Sequence, residues 1–183
     1  MHKPDQGSDA APWVVRFAPL IPAGGRVLDL ACGGGRHSRF LLASGHSVTA
    51  VDRTLAGIED LEDVPALEAV AADLEDGPWP FGKRHFAGIV VTNYLHRPLL
   101  PLLKQALAPD GVLIYETFAQ GNEQFGRPSN PDFLLRPGEL LDAVHPDLTV
   151  VAYEHGQLDL PHPRVVQRIC AIRAEAPVRL PPG

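Results

Sequence analysis

The sequence is poor in cysteine and has no long apolar run, and each shortage excludes a class of protein. Its two cysteines, Cys32 and Cys170, lie far apart, with no CxxC motif and no His/Cys cluster at metal-ligand spacing, so neither a disulfide framework nor a metal site is expected. No apolar run approaches the roughly 20 residues of a membrane span. The first residues, MHKPDQGSDAAPW, lack the apolar core of a signal peptide. We therefore expect a cytoplasmic protein that does not bind membranes.

The chain also lacks an excess of basic residues. Its net charge is −6, without the basic stripe that neutralises the phosphates of a duplex, so nucleic acid is not an expected partner. A length of 183 residues, 45% of them hydrophobic, predicts a single domain over 1–183. Residues 1–10 and 175–183 are expected to be flexible because they show no apolar periodicity. The sequence assigns no oligomeric state.

Short runs rich in Val, Ile and Leu alternate with amphipathic stretches, the pattern of helices that cover a mostly parallel sheet. Strands are predicted at 26–31, 47–52, 68–73, 86–92, 111–117, 149–154 and 165–173. Helices are predicted at 11–19, 36–44, 54–62, 99–107 and 137–144. Because only GQLDLPHP separates the last two strands, they should form a hairpin, which makes the last strand antiparallel to the others. The predicted fold is α/β, with helices on both faces of a seven-stranded, mostly parallel sheet.

Three glycines follow the first predicted strand, in RVLDLACGGGRHSRFL at 26–41. Glycine lets the backbone approach a ligand closely, and the first turn of the next helix offers unpaired amides, so a nucleotide is the first expectation. A dinucleotide fold carries G-x-G-x-x-G or A, in which the third small residue lets helix and strand pack closely. Here Ser38 occupies that third position after Gly33 and Gly35, which fits NAD poorly.

The spacing Asp29-x-Ala31-x-Gly33-x-Gly35 instead resembles motif I of the class I S-adenosylmethionine-dependent methyltransferases, usually D/E-x-G-x-G-x-G. Ala31 replaces the first glycine, and alanine still permits a tight turn if its φ is negative. The resemblance extends over about 27–173 and implies a Rossmann-like fold with S-adenosyl-L-methionine as the cofactor.

The resemblance also implies roles for three acids near the ends of successive predicted strands. Asp52 would accept hydrogen bonds from the ribose hydroxyls, and Asp73 would accept one from the adenine amino group, with Leu74 offering a backbone amide. Asp29 would stand nearest the cationic methionine end. The alternative for each acid taken alone is an ordinary strand-end or capping role. The expected cofactor-binding residues are Asp29, Ala31, Cys32, Gly33, Gly35, Asp52, Arg53, Asp73, Leu74 and Asn93.

The acceptor side of the site has weaker sequence signals. The fourth predicted strand ends in TNYLHRP, which lacks the prolines of the D/N-P-P-Y/F box of methyltransferases that act on nucleic-acid or glutamine amino groups, so those acceptors are disfavoured. Tyr94, His96 and Arg97 are candidates to line an acceptor pocket, the last two with exposed helix-start positions as the alternative. Arg36 and His37 are placed to reach an anionic acceptor or to face solvent.

A loop of about twenty residues follows the fifth predicted strand, longer than a compact domain normally spends on a connection. We expect 118–136 to be a lid over the methyl donor. Its ETF…GRPSNPDFLLRPGELL segment, together with GGGRHS, is similar to the small bacterial tellurite-resistance methyltransferases, which implies a small oxyanionic or chalcogen acceptor. Glu116, Arg127 and Asn130 are the residues to test, against structural roles as a loop partner for Glu116 and a solvated cation for Arg127.

The expected function is therefore S-adenosylmethionine-dependent methyl transfer to a small-molecule acceptor. The enzyme would mainly align an acceptor lone pair opposite the departing sulfur and exclude water. The expected catalytic residues are His96 and Glu116 as candidate bases and Tyr94 as a pocket residue. Two alternatives stay open: a non-catalytic module that binds S-adenosylmethionine or a partner protein, and an NAD-linked reductase.

Overall fold

The computed structural model describes residues 10–181, and its strands form one sheet. The seven strands are β1 Arg26–Leu30, β2 Ser47–Asp52, β3 Leu67–Ala71, β4 Phe86–Thr92, β5 Leu107–Phe118, β6 Thr149–Leu158 and β7 Arg164–Ile172. Their order is β3-β2-β1-β4-β5-β7-β6. Neighbours from β3 to β5 are parallel, whereas β7 is antiparallel to both β5 and β6. The predicted α/β fold and its antiparallel last strand are confirmed.

Four short α-helices and several 3₁₀ turns connect the strands. The helices are α1 Pro12–Phe17, α2 Arg36–Ala43, α3 Leu100–Gln105 and α4 Glu139–Val144. The helix predicted over 54–62 is wrong, because this segment forms 3₁₀ turns over Ala56–Leu61, interrupted at Ile58 by a non-helical φ of −131°. Ile58 is buried in a small cluster with Cys32 and Ala50, and this packing takes precedence over the helical spacing.

Both faces of the sheet are covered by helices, as successive residues of β1 show. Val27 belongs to the apolar cluster that includes Phe17 of α1 and Leu41 of α2. Leu28, on the other face, belongs to the cluster that includes Leu103 of α3. Side chains alternate between the two faces of a strand, so a strand buried on both sides is apolar throughout. This is why β1 and β4 are mostly apolar, with the buried Asp29 as the exception in β1.

The observed strand bounds move one of the three acids relative to a strand end. Asp52 is the last residue of β2 and Asp29 lies within β1, both as predicted, whereas Asp73, predicted as the last residue of its strand, lies two residues beyond the end of β3. Strand β3 is an edge strand, and its register ends where Ala71 is opposite Asp52. The Ala72 nitrogen still donates to the Asp52 carbonyl, after which the chain turns away through Asp73.

The flexibility expected for residues 1–10 and 175–183 stays a prediction. Residues 1–9 and 182–183 lie outside the described residues. Within 175–181, Val178 packs against the core. No helix between residues 10 and 181 is long and apolar enough to cross a membrane.

Candidate functional site

The strand order reverses direction at β1, since β2 lies on one side of it and β4 on the other. In open α/β sheets, ligands bind at the carboxyl ends of the strands beside such a reversal. A cleft of about 360 Å³ opens there. It brings together several predicted cofactor residues and one predicted catalytic residue, Tyr94. The lining residues are Ala31, Asp52, Arg53, Thr54, Ala72, Asp73, Leu74, Glu75 and Tyr94.

Asp52 connects the end of β2 to the glycine loop. Its Oδ2 accepts a hydrogen bond from the Gly33 backbone nitrogen at 2.9 Å, and its Oδ1 accepts a longer one, 3.4 Å, from the Thr54 nitrogen. Each carboxylate oxygen has two lone pairs, so Asp52 retains acceptor capacity on the side that lines the cleft.

Asp73 lies across the cleft and shapes the turn after β3. Its Oδ1 accepts from the backbone nitrogens of Glu75, at 2.9 Å, and Asp76, at 3.2 Å, and Arg53 Nε lies 3.1 Å from its Oδ2. These backbone hydrogen bonds, the one from Glu75 foremost, hold the pKa of Asp73 below its usual value. Asp73 therefore carries its charge at the cleft, and its Oδ1 has the capping role that the sequence offered as the alternative.

The glycine loop contains two kinds of constraint. Gly33 has a φ of +52° and open space around the position of a Cβ atom, so the protein itself leaves this face of the loop uncovered. Gly35 has a φ of +72°, and a Cβ there would lie 2.2 Å from Ile58 Cγ2. Gly35 is thus required by internal packing, whereas Gly33 borders the open side of the loop.

Ala31 adopts a backbone conformation that the sequence did not indicate. Its φ is +54°, in the left-handed region, whereas the tight turn considered for alanine required a negative φ. This conformation costs a non-glycine residue roughly 1–2 kcal/mol. The position therefore has the geometry of the glycine found in motif I, with an alanine held in it by the surrounding turn.

Asp29 and Cys32 are buried beneath the loop rather than exposed in the cleft. Asp29 is 2% exposed, and its Oδ2 accepts a 2.6 Å hydrogen bond from Ser38 Oγ. Burial raises the pKa of Asp29 to about 6. Cys32 is also buried, and burial raises the pKa of its thiol to about 12, so its side chain is neutral and packs in the core. Ser38, which weakened the NAD interpretation, is the partner of Asp29.

A second cavity, of about 550 Å³, is lined in part by Asn93. A smaller cavity of about 210 Å³ shares Glu75 and Tyr94 with the cleft, and Asn93 and Phe118 with the larger cavity. The cleft and the larger cavity are therefore neighbours through the smaller cavity. The polar residues lining the larger cavity are Arg36, Asn93, Glu116, Asn122, Arg127, His162 and Arg164.

Three arginines give this larger cavity a positive character. We call it the acceptor cavity, after the role proposed for it below. Arg36, Arg127 and Arg164 line it, and none of them forms an ion pair with a carboxylate among residues 10–181. In a chain of net charge −6, cations without acidic partners are gathered at one place. Such a cavity attracts anionic ligands.

Glu116 is the one acid that lines the acceptor cavity in the described structure. It is 5% exposed, and its Oε2 lies 3.4 Å from Arg168 Nη1. Arg168 also pairs with Glu154 through its Nε, at 2.8 Å, and through Nη2, and its guanidinium lies 4.7 Å from the ring centroid of Trp13. Arg168 therefore pairs with two carboxylates, and Glu116 shares this one cation with Glu154.

Three other candidate residues line none of the three cavities described above. His96 precedes the 3₁₀ turn Arg97–Leu99. The Arg97 guanidinium is used by Glu139, at 2.6 and 3.0 Å. His37 neither reaches an acceptor nor faces solvent: it is 2% exposed, its Nε2 accepts from the Ala11 nitrogen at 3.2 Å, and burial lowers its pKa to about 4.

Tyr94 lies where the cleft meets the smaller cavity. Its hydroxyl is buried and lies close to the Glu75 carboxylate. Burial, followed by the nearby Glu75 carboxylate, raises the pKa of Tyr94 to about 12. The hydroxyl is therefore protonated and is available as a donor.

The long loop after β5 is fixed to the domain at its base. Ala119 pairs with Leu135, and Leu134 and Leu135 are buried. Arg97 Nη2 donates to the Leu134 carbonyl at 3.0 Å, and Asn130 Oδ1 accepts from the Asp132 nitrogen at 3.0 Å, capping a 3₁₀ turn. Residues 123–127 form an exposed tip that includes Arg127 of the acceptor cavity.

Sequence reasoning missed His162, Arg164 and Asn122 as cavity residues. His162 lies in the hairpin before β7, which was read only as a connection, and Arg164 is the first residue of β7. Asn122 is 2% exposed, and its Oδ1 accepts from the Val165 nitrogen at 3.1 Å, so it ties the long loop to β7. A signal was present in PHPR, where His162 and Arg164 flank a proline, but their location in this cavity depends on the β5–β7 pairing.

Comparison with known proteins decides the family. The sequence profile of a methyltransferase-domain family matches residues 4–157, well over half of the chain. The chain belongs to the methyltransferase-domain family. This confirms the resemblance carried by motif I and, with it, the enzyme class and S-adenosylmethionine as the domain's methyl donor.

Solved structures share the fold at low sequence identity. TehB from Haemophilus influenzae superposes with a TM-score of 0.72 at 20% identity, over 87% of this chain and 61% of that one. A SAM-dependent methyltransferase from Methanosarcina mazei superposes with a TM-score of 0.69 at 15% identity, over 91% and 99% of the two chains. This chain therefore spans about three fifths of the length of TehB and nearly all of the archaeal protein.

A third solved structure was determined with bound ligands. It is the 1,6-didemethyltoxoflavin-N1-methyltransferase of Burkholderia thailandensis, with 1,6-didemethyltoxoflavin and S-adenosylhomocysteine, at a TM-score of 0.67 and 20% identity, over 89% of this chain and 76% of that one. Among curated protein sequences, none matches this chain. At these identities the structural relatives establish the fold, and the acceptor has to be argued from the residues of this chain.

Proposed function

We propose that this protein transfers the methyl group of S-adenosylmethionine to a small anionic acceptor bound in the acceptor cavity. The observation that carries the proposal is the convergence of Arg36, Arg127 and Arg164, without acidic partners in the described structure, on a cavity of about 550 Å³ adjacent to the cleft. Guanidinium groups bind carboxylates and oxyanions with paired hydrogen bonds, so this chemistry suits an anion.

We assign the cleft to the adenosine part of the cofactor. Asp52 and Asp73 would accept hydrogen bonds from the ribose hydroxyls and the adenine amino group, with Leu74 offering a backbone amide to the ring. The open face of Gly33 would border the methionine part, and Asn93 lines both the acceptor cavity and the smaller cavity beside the cleft. Asp29 would act through the loop it supports, because Ser38 and its burial separate it from the cleft.

S-adenosylmethionine brings an electrophilic methyl group attached to a sulfonium. The residues of this chain would hold the acceptor in line with the methyl–sulfur bond and exclude water from the encounter. Of the expected catalytic residues, Glu116 has the geometry of a proton acceptor and Tyr94 that of a donor at the junction of the cavities. For His96, a role as base stays a prediction from the sequence.

The finer proposal for the acceptor is an oxyanion or chalcogen species. The cationic cavity and the motif resemblance to tellurite-resistance methyltransferases support it, and TehB shares the fold. A cytoplasmic location, a single domain over 1–183 and the absence of membrane and nucleic-acid partners likewise stay predictions from the sequence.

Calorimetry with S-adenosylhomocysteine, and separately with NADH, tests the cofactor part of the proposal. We expect binding of the former and no detectable binding of the latter. With cofactor present, formation of S-adenosylhomocysteine should then be measured with selenite, tellurite and small organic carboxylates as acceptors. Arg127→Gln should reduce turnover with any active acceptor. Binding of NADH but not S-adenosylhomocysteine, or turnover that prefers neutral or cationic acceptors, would overturn the proposal.

A further inference from the structure

We propose that the acceptor is bifunctional: it carries an anionic group that binds the arginines and, separately, a proton-bearing nucleophile that contacts Glu116. The inference rests on the proposed transfer to an anionic acceptor, and it replaces the finer proposal of a bare oxyanion with a molecule that carries both groups. It follows from the nearly buried carboxylate of Glu116, which lines the acceptor cavity together with three arginines. A ligand that carries only negative charge would not explain a carboxylate at this place.

The charge of Glu116 is only partly neutralised. Its contact with Arg168 is 3.4 Å long, whereas Glu154 binds the same guanidinium through two nitrogens, one of them at 2.8 Å. The guanidinium is also fixed over the Trp13 ring at 4.7 Å, which limits its approach to Glu116. One cation shared by two carboxylates leaves net negative charge, and the side chain that lines the cavity is Glu116.

Glu116 is hydrogen-bonded to the chain segment that separates the acceptor cavity from the smaller cavity. Its backbone carbonyl accepts a hydrogen bond from the Asn93 nitrogen at 2.9 Å, and Asn93 lines both of these cavities. Arg127 and Arg164 come from other walls, the tip of the long loop and the start of β7, whereas Arg36 is the first residue of α2, directly after the glycine loop. The cavity therefore has a negative group near the smaller cavity and two of its three positive groups on other walls.

This arrangement selects against a bare anion at the reacting position. A fully deprotonated oxyanion placed next to Glu116 is repelled at short range in a partly desolvated site, where charge interactions are stronger than in water. An amine, hydroxyl or thiol is attracted instead, because its proton hydrogen-bonds to the carboxylate. The anionic group of the same molecule then extends toward the arginines.

The transfer step balances with the residues present. The lone pair of the acceptor nitrogen, oxygen or sulfur forms a bond to the methyl carbon while the carbon–sulfur bond breaks, and that bond's electron pair returns to sulfur. The sulfonium becomes the neutral thioether of S-adenosylhomocysteine. The proton of the acceptor atom, made acidic as the new bond forms, passes to the Glu116 carboxylate and then to water.

Matched pairs of small acids test this inference on the protein saturated with S-adenosylhomocysteine. Glycine, 3-aminopropanoate and 4-aminobutanoate carry an anion and a proton-bearing nitrogen, whereas acetate, propanoate and butanoate carry the anion alone. Binding is measured by ligand-observed NMR. We expect at least one amino acid of the series to bind about tenfold more tightly than its matched acid. Glu116→Gln should abolish that preference, and Glu59→Gln, at an exposed acid outside the cavity, should leave it intact.

The outcomes separate this inference from the proposed function. Simple acids that bind at least as tightly as their amino partners, with binding weakened by Arg127→Gln, would overturn the bifunctional acceptor and leave the anionic cavity standing. A preference that persists in Glu116→Gln, or no binding by any of the amino acids, would also overturn the inference. Failure of S-adenosylhomocysteine to bind at the outset would instead count against the proposed function.

Discussion

The Gly33 backbone nitrogen donates a 2.9 Å hydrogen bond to Asp52 Oδ2, so the predicted ribose-binding acid also fixes the glycine loop. The two residues are 19 positions apart in the chain and meet because β1 and β2 are parallel neighbours. Each is therefore coupled to the other, and a change at either one should alter cofactor affinity.

Replacing Asp52 with Ala should weaken the binding of S-adenosylhomocysteine at least about tenfold, because hydrogen bonds to a charged group are worth about 1.5–3 kcal/mol each. Asp52→Asn keeps an acceptor for the Gly33 nitrogen but loses the charge, so it should fall between wild type and Asp52→Ala. Isothermal titration calorimetry measures all three. Glu59→Ala, at an exposed acid that does not line the cleft, is the matched control. An unchanged dissociation constant for Asp52→Ala would exclude this residue from the ribose site.

The open side of the glycine loop should not tolerate a bulky side chain. Gly33→Val is expected to abolish the binding of S-adenosylhomocysteine while the circular dichroism spectrum stays close to native, because a Cβ at Gly33 meets no protein atom within 4 Å. Valine at a φ of +52° is strained, so the variant should also have a lower Tm than the wild type. Gly34→Ala, at a neighbouring glycine that also has open space and has no positive φ, should bind much more nearly like wild type. Retained binding in Gly33→Val would mean that the ligand does not approach this backbone.

Ala31→Gly should stabilise the protein. The φ of Ala31 is +54°, a conformation that glycine adopts without steric cost. Part of the gain is offset by the greater freedom of glycine in the unfolded chain, so we expect a net gain of up to about 1 kcal/mol, or a rise in Tm of about 2–4 °C. Differential scanning fluorimetry measures the change. Ala43→Gly in α2 is the control and should lower Tm, and a lower Tm for Ala31→Gly would contradict the argument.

Much of the fold was predictable because strands buried on both faces have a strong local signature. β1 and β4 were predicted within a residue, since they are continuous apolar runs bounded by polar segments. The segment 54–62 was not predictable in this way. Its structure depends on Ile58 packing beneath Gly35, a contact between residues brought together by the parallel pairing of β1 and β2.

The residues of the candidate site also fall into those that the sequence could predict and those that depend on tertiary contacts. Ala31, Asp52 and Asp73 were identified because motif spacing and strand ends are properties of the sequence, and they line the cleft. Arg164 was missed because its position in the acceptor cavity is produced by the antiparallel β5–β7 pairing. His37 was expected at the helix surface, yet it is buried because the N-terminal segment covers it through the Ala11 hydrogen bond.

Asp29→Asn should stabilise the protein at neutral pH. The pKa of Asp29 is raised to about 6, so the folded state favours the protonated form. Its contribution to stability is present below the unfolded pKa, near 4, and is lost as the pH rises through 6. Above pH 6 the buried charge costs about 3 kcal/mol, an upper estimate. Asparagine keeps an acceptor for Ser38 and removes that charge, so the gain should be largest at pH 7 and should shrink toward pH 4.

Urea unfolding of the variant and the wild type at matched pH values measures this difference. Taking the difference at each pH cancels most of the contribution of His37, whose lowered pKa makes the folded state less stable as the pH falls from about 6.5 toward 4. A constant difference between pH 4 and 7 would contradict the assignment of the effect to Asp29. If the Asp29 charge also attracts the cationic methionine end, Asp29→Asn should weaken the binding of S-adenosylmethionine more than that of S-adenosylhomocysteine, whose sulfur is uncharged.

The tip of the long loop should move, while its base stays fixed. Phe125 is 38% exposed and Glu123 is also exposed, whereas Leu135 at the base is fully buried. Chymotrypsin and a glutamate-specific protease should therefore cut the ligand-free protein at these tip residues, and binding of S-adenosylhomocysteine should slow both cuts if the segment closes over the cofactor. Arg97→Ala removes the hydrogen bonds that Arg97 donates to Glu139 and to the Leu134 carbonyl at the base of the loop, so it should speed cleavage in both states.

Equal cleavage rates for the wild type with and without S-adenosylhomocysteine would make the segment a fixed wall of the pocket. Truncation of the segment should then reduce folding stability more than turnover.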